Sequence, residues 1–323
     1  MDSLRHVLDL QSGVVSRRQV LAAGLAPHDL RRLVRRRELA PVFPGAYVDH
    51  TGVPTWLQRA WGALLVCGAH EVGGRWDGAA LAGASALRVA DGPGRGEDGG
   101  PIVVAVPCER RVQAPPGIVV VRTRQIDERV RWNLAPPRLT YDEAALDVAL
   151  ECHGELDAVA AIARAVQGRH TTATRMQEAL ARRARAPRRE LLEGVLGDVA
   201  RGSCSVLERE YVERVERPHA LPQGQRQLRV GTVSGVVYRD NAFDELLVEL
   251  DGRLFHDTAR QRDADHERDL DAAVAGQGSV RLTWGQVIGR PCRTAGKLSQ
   301  VFVRHGLRGG RPCGPGCGWL MVA

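Results

Sequence analysis

The chain has 323 residues, 44 % of them apolar and 26 % charged, with a net charge of +7. That balance excludes a disordered chain and leaves room for two or three packed domains. No apolar run approaches the ~18 residues of a membrane span, and seven cysteines, an odd number, do not read as a secreted disulfide framework.

The opening, MDSLRHVLDLQSG, lacks a basic segment followed by an apolar one, so no signal peptide is expected and a cytoplasmic location is. The positive balance favours an anionic partner, nucleic acid before membrane. Nearly all the cations are arginines, and Lys297 is the single lysine. Together with heavy Ala, Gly and Val use, that bias also fits a GC-rich coding sequence, which weakens the charge argument.

Residues 1–52 read as a compact helical unit with a hairpin. Val7, Leu8, Leu10 and Val14 start an apolar helix. Ser16 is placed to cap a second helix, Arg17 to Ala23, ended by Gly24. After Leu25-Ala26-Pro27 a third helix is predicted from His28 to Glu38, with Leu30, Leu33 and Val34 at inward spacing. Arg31, Arg32, Arg35, Arg36 and Arg37 crowd this helix. Helix, glycine-containing turn and helix is a helix-turn-helix pattern. Leu39 to Val48, turning at Pro44-Gly45, reads as a two-stranded wing. The string SGVVSRRQVLAAGLAPHDLRRLVRRRELAPVFPGAYV resembles the winged helix-turn-helix of AbiEi-type antitoxins, transcriptional autoregulators of toxin–antitoxin systems. The resemblance implies that Arg31, Arg32, Arg35 and Arg36 meet double-stranded DNA, that the wing touches the backbone, and that a toxin protein is a partner. Against it stands the ordinary alternative of a solvated arginine face.

Residues 53–200 read as a mostly helical scaffold or partner-binding domain with short strands. Trp56, Ala60, Ala63 and Leu64 mark a helix, and Gly78 to Val89 a second one rich in small residues. Asp91 to Gly100 is a loop, while Ile102 to Val106 and Ile118 to Val121 are short strands. Thr140-Tyr141-Asp142-Glu143 has the spacing of a capping box opening a helix to Cys152. Helices follow near Leu156–Val166 and Thr172–Arg185, and RRARAPRR, Arg182 to Arg189, reads as a basic linker. His70, His153 and His170 are isolated, and no catalytic constellation is evident. This segment resembles the domain that follows the winged helix in such antitoxins.

Residues 201–323 carry the acidic pattern. Ser205 is placed to cap the helix VLEREYVERVER, in which Glu208 falls on the apolar stripe of Tyr211, Val212 and Val215. Leu228 to Val237 reads as a hairpin leading to Asp240, and Leu246 to Asp251 as a strand stopped by Gly252. Alternation puts Glu249 and Asp251 on one face of that strand. Half-buried acids need a partner, and a hard cation such as Mg2+ is one. His256 follows in a loop. Asp265, Arg268 and Asp269 share one face of a helix predicted from Arg262 to Ala275. Val280 to Trp284 reads as a buried strand and Leu298 to His305 as a last helix.

Glu249-Leu250-Asp251-Gly252, His256 and Asp265-His266-Glu267-Arg268-Asp269 resemble the PD-(D/E)XK nuclease core, in its very-short-patch-repair-like branch. The resemblance covers roughly residues 203–306. It implies a restriction-endonuclease-like α/β core and a metal-dependent DNA endonuclease. Asp240, Glu249, Asp251 and His256 would be catalytic, and Glu208, Asp240, Glu249 and Asp251 would hold Mg2+ or Mn2+. Asp265, Arg268 and Asp269 would support them. Asp251 stands where many relatives carry a lysine, which leaves open a non-catalytic antitoxin-type regulator with a degenerate nuclease domain. An RNA substrate ranks below both, because aromatics are 4 % of the chain.

The tail holds Cys313 and Cys317 at a spacing within the range of structural zinc pairs. Cys292, with His305, would complete a Zn2+ set. No second pair accompanies them, so the residues alone favour free thiols. The fold expected is α+β and multidomain: a winged helix-turn-helix over 1–52, a mostly helical middle domain over 53–200 and a nuclease-like α/β core over 201–323.

Overall fold

The computed structural model describes residues 2–92, 100–201, 203, 205–232, 235–243, 246–251 and 278–319. The chain is mixed α+β and divides into two compact units, Met1–Val148 and Ala149–Ala323. The expected winged helix and the strand-containing half of the middle segment share the first unit. The helical half of that segment and the expected nuclease segment share the second.

The first unit opens with α1 (Asp2–Leu10), β1 (Val14–Ser16), α2 (Arg17–Ala22), α3 (Pro27–Arg35), β2 (Ala40–Phe43) and β3 (Ala46–Val48). Val14, expected on the first helix, lies instead in a strand. Ser12 and Gly13 both take positive φ, which ends α1 and turns the chain. The strands form one antiparallel sheet in the order β1-β3-β2. Ser16 caps α2 as its sequence suggests: its hydroxyl accepts from the Gln19 N–H, and the Gln19 side chain accepts from the Ser16 N–H. Gly24, at φ +86°, makes the turn to α3. A small core of Leu4, Val15, Val20, Leu30 and Leu39 holds the motif together.

There follow α4 (Trp56–Val66), β4 (His70–Val72), β5 (Arg75–Asp77), β6 (Ala80–Leu81), α5 (Gly83–Asp91), β7 (Ile102–Pro107), β8 (Ile118–Thr123), α6 (Ile126–Arg129), β9 (Val130–Arg131), β10 (Arg138–Leu139) and α7 (Tyr141–Glu151). The main sheet has the order β8-β7-β6-β10-β9. Gly78 to Val89 is therefore not one helix. Ala80 and Leu81 are fully buried in strand pairing with β7, and the helix begins only at Gly83. Sheet pairing has overridden local small-residue propensity. Nor does Thr140 complete a capping box. Its buried hydroxyl has no hydrogen-bond partner among the described residues, and Glu143 is ion-paired with Arg129 at 2.8 Å. Val14 and Val48 from the winged motif pack into the same core as Trp61, Leu64 and Ile102.

The second unit contains α8 (Glu155–Gln167), α9 (Ala173–Ala181), α10 (Arg189–Arg201), α11 (Ser205–Tyr211), β11 (Gln225–Thr232), β12 (Gly235–Ala242), β13 (Leu246–Asp251), β14 (Gly278–Thr283) and α12 (Pro291–Arg304). The helix α10 was not expected. The basic run Arg182 to Arg189 is only a short connection, and Leu191, Leu192, Val195 and Leu196 bury the face of α10 that follows it. At Gly194 a Cβ would meet the Val206 side chain at 2.7 Å, so the glycine lets α10 approach α11. Asp198 of α10 caps α11, accepting from the Val206 N–H at 2.6 Å, where Ser205 had been the expected cap. A π-helical turn, Val212–Glu216, continues α11, with the Arg217 N–H donating to the Val212 carbonyl at 3.0 Å.

The sheet of this unit has the order β11-β12-β13-β14. The hairpin β11–β12 and the pair β12–β13 are antiparallel, whereas β13 and β14 are parallel. The strand expected from Leu246 to Asp251 is present at those bounds. Its neighbour β14 is only half-buried, with Leu282 the one fully buried residue in it, rather than the buried strand expected. The last helix starts at Pro291, in the first helical position, where a missing N–H costs nothing. Among the described residues no helix is long and apolar enough to cross a membrane.

Candidate nucleic-acid interface and metal-binding groups

On α3, Leu30 is buried and Leu33 and Val34 are half-buried, which turns Arg31, Arg32, Arg35 and Arg36 to the surface. The four are not equivalent. Arg32 is ion-paired with Asp29 at 2.9 Å, one turn back on the same helix. Arg36 lies 3.9 Å from Glu38. Arg31 and Arg35 are exposed with no ion pair among the described residues. Ala40 to Val48 contains no charged residue. Val42 and Phe43 pack against Gly62 of α4. The arginines of α3 form an exposed cationic face, and a face of that kind suits phosphate contacts.

The acids of the second unit are partly gathered. Glu208 and Asp240 line one cavity of about 300 Å³, with Arg209, Arg217, Arg226 and Asn241. Asp240 accepts from the Leu250 N–H at 2.7 Å. Glu249 sits beside Arg281 in the parallel ladder, and its carboxylate takes a 3.1 Å hydrogen bond from the Arg281 guanidinium. Asp251 is half-buried at the strand end, opposite Thr283. Lys297 lines a different cavity, with Arg290 and Arg293, and does not replace the lysine absent from β13. His256, Asp265, Arg268 and Asp269 lie outside the described residues.

Glu210 and Glu216, off the stripe that the sequence marks through Glu208, Tyr211, Val212 and Val215, are both buried. The buried face runs through Leu207, Tyr211 and Val215, and Glu210 is three residues from Leu207. The π-helical turn then carries Glu216 round to the same side. Glu210 pairs with Arg214, and Glu216 pairs with Arg226 at 2.6 Å.

A third group is compact. His219, Cys292, Cys313 and Cys317 bring one ligand atom each to within 4.8 Å of all the others. It is the one such group of His, Cys, Asp or Glu among the described residues. The three cysteines are those singled out in the sequence, but the histidine is His219 and not His305. Hydrogen bonding from Cys317 is the main cause that pushes the Cys313 thiol up to about 11. Burial opposes ionisation of Cys317, but hydrogen bonding from Cys313 outweighs it and brings that thiol down to about 6.

No curated protein matches this chain. Among solved structures, the crystal structure of the RV2827C protein from Mycobacterium tuberculosis is similar at 20 % identity, with a TM-score of 0.37, over 62 % of this chain and 78 % of that one. Residues 2–48, the segment that builds the three-helix, three-strand motif, match the family model described as "Transcriptional regulator, AbiEi antitoxin".

Proposed function

We propose that this protein is a DNA-binding transcriptional regulator of the AbiEi antitoxin type, reading duplex DNA through α3. The observation that carries this is the outward set of arginines on the second helix of a helix-turn-helix, within the segment that matches the antitoxin family model. Arg31 and Arg35 supply phosphate contacts or base-edge contacts to guanine. By the same family analogy, the partner is a toxin protein. The test is duplex binding by the full chain. Specific binding to its own upstream region, weakened by Arg31→Ala with Arg35→Ala, supports the reading, and equal affinity of the double variant overturns it.

A second reading concerns the C-terminal unit, as a metal-dependent endonuclease. It is favoured by Glu208 and Asp240 facing one cavity with three guanidinium groups that suit a phosphate backbone. Mg2+ or Mn2+ would sit on Asp240 and Glu249, with help from Glu208 or Asp251. The fit is incomplete. The four acids do not form one ligand cluster among the described residues, and Glu249 is neutralised by Arg281. The regulator therefore ranks first. Plasmid nicking that needs Mg2+ or Mn2+ and is lost in Glu249→Gln would reverse that order.

A further inference from the structure

We propose that His219, Cys292, Cys313 and Cys317 bind a single structural Zn2+ that clasps the C-terminal tail to the body of its unit. This inference is independent of the DNA-binding and nuclease readings.

Two edges of the group have the lengths of a tetrahedral zinc site. Zn–S bonds of about 2.3 Å and a Zn–N bond of about 2.05 Å at the tetrahedral angle put two sulfurs ~3.8 Å apart and sulfur and nitrogen ~3.6 Å apart. Cys292 Sγ and Cys313 Sγ are 3.8 Å apart. Cys317 Sγ and His219 Nε2 are 3.6 Å apart. The cysteine pair is far beyond the ~2.05 Å of a disulfide. Edges this short suit one ion, not an iron–sulfur cluster, whose ligands stand farther apart.

The histidine is prepared for the role. His219 is buried, and its Nδ1 faces the Val215 carbonyl at 2.9 Å. A carbonyl only accepts, so Nδ1 carries the proton and Nε2 presents its lone pair to the sulfurs. A ligating histidine is typically oriented by such a bond from its other nitrogen. Trp319 stacks on the ring, with centroids 5.6 Å apart. Cys292 lies in the first turn of α12, where the helix end favours a thiolate.

The tail has a reason to need a clasp. Beyond α12 it forms no helix or strand among the described residues. It is threaded back by the Arg311 N–H donating to the His219 carbonyl at 2.8 Å and the Gly310 N–H donating to Ser299 Oγ at 2.8 Å. Gly310 admits no side chain, since a Cβ would meet the His219 carbonyl oxygen at 2.7 Å. Gly316, at φ +79°, folds Cys317 back toward Cys313. All four positions are filled by protein ligands, so no site is left open for substrate. A three-cysteine, one-histidine set of this kind is structural and selects zinc over hard cations.

The full chain, purified from zinc-supplemented culture, should carry one Zn2+ per molecule by elemental analysis. Its Co2+ form should show the visible bands of tetrahedral cobalt and a thiolate charge-transfer band. Cys313→Ser and Cys317→Ser, on the exposed tail, should lose the metal to a chelator concentration that wild type withstands, while His305→Ala and Cys152→Ser retain it. His219→Ala should behave as the tail variants do. If it does not fold, the cobalt spectrum of wild type and the tail variants decide the question alone. A metal-free wild type with no tetrahedral cobalt spectrum, or full retention by Cys313→Ser and Cys317→Ser, would overturn the proposal.

Discussion

The Arg281 guanidinium donates to the Glu249 carboxylate at 3.1 Å, across adjacent parallel strands. Both side chains are largely shielded from water, so the pair is held in a low-dielectric sheet edge. A carboxylate engaged this way is an internal counter-ion before it is a metal ligand.

Glu249→Ala should therefore destabilise the C-terminal unit by about 1.5–3 kcal/mol, the range for a hydrogen bond to a charged group. Glu249→Gln keeps an acceptor and should lose less than half of that. Urea denaturation of both variants measures the difference. Equal stability of Glu249→Ala and wild type would show that the Arg281 pair contributes nothing.

On α3 the ion pairing ranks the arginines. Arg31→Ala and Arg35→Ala should each lower the slope of log affinity against log salt by about 1, as expected for one lost phosphate contact. Arg32→Ala should have a smaller effect, because Asp29 already holds that guanidinium at 2.9 Å. Anisotropy titrations on one duplex over a series of salt concentrations give the slopes. A larger loss from Arg32→Ala than from Arg31→Ala would contradict this ranking.

Ser16→Ala should cost about 1 kcal/mol, the usual loss for an N-cap hydroxyl. The Gln19 amide would lose its acceptor, although its side chain keeps a partner in Gln11 at 2.8 Å. A lower thermal midpoint with unchanged duplex affinity at low temperature is the expected result.

Glu216 links stability to pH. Burial pushes its carboxyl up, against the pull of Arg226 and Arg217 in the other direction. A carboxyl raised in the folded chain binds its proton more tightly there than in the unfolded one. Its contribution is full below the ordinary carboxylate range and is lost as pH rises through the raised value. Arg226→Ala removes the main compensating charge and should destabilise by about 2 kcal/mol near neutral pH. That is below the ~3–5 kcal/mol for a fully buried pair, because Arg226 is 43 % exposed. The deficit should shrink as pH falls and Glu216 becomes protonated. Urea midpoints at mildly acidic and mildly alkaline pH test the sign, and a deficit that grows on acidification would contradict it.

Local signals in the chain determined much of the fold. Ser16 and Gly24 mark α2 and its turn because capping and positive φ act within a few residues. The strand Leu246–Asp251 and the hairpin that carries Asp240 in its second strand were legible from alternation and glycine placement. What only the tertiary structure decided depends on partners distant in sequence. Ala80 and Leu81 became a strand because β7 lay ready to pair with them. Glu210 and Glu216 turned inward because packing selected the face of Leu207, Tyr211 and Val215. Asp198 took the capping role offered by Ser205. In the cysteine cluster, chain spacing revealed the three sulfurs but pointed to the nearby His305. Folding brought His219 to Cys317 across 98 residues, a closeness that no local pattern encodes because it arises only when the tail packs back on the end of an earlier helix.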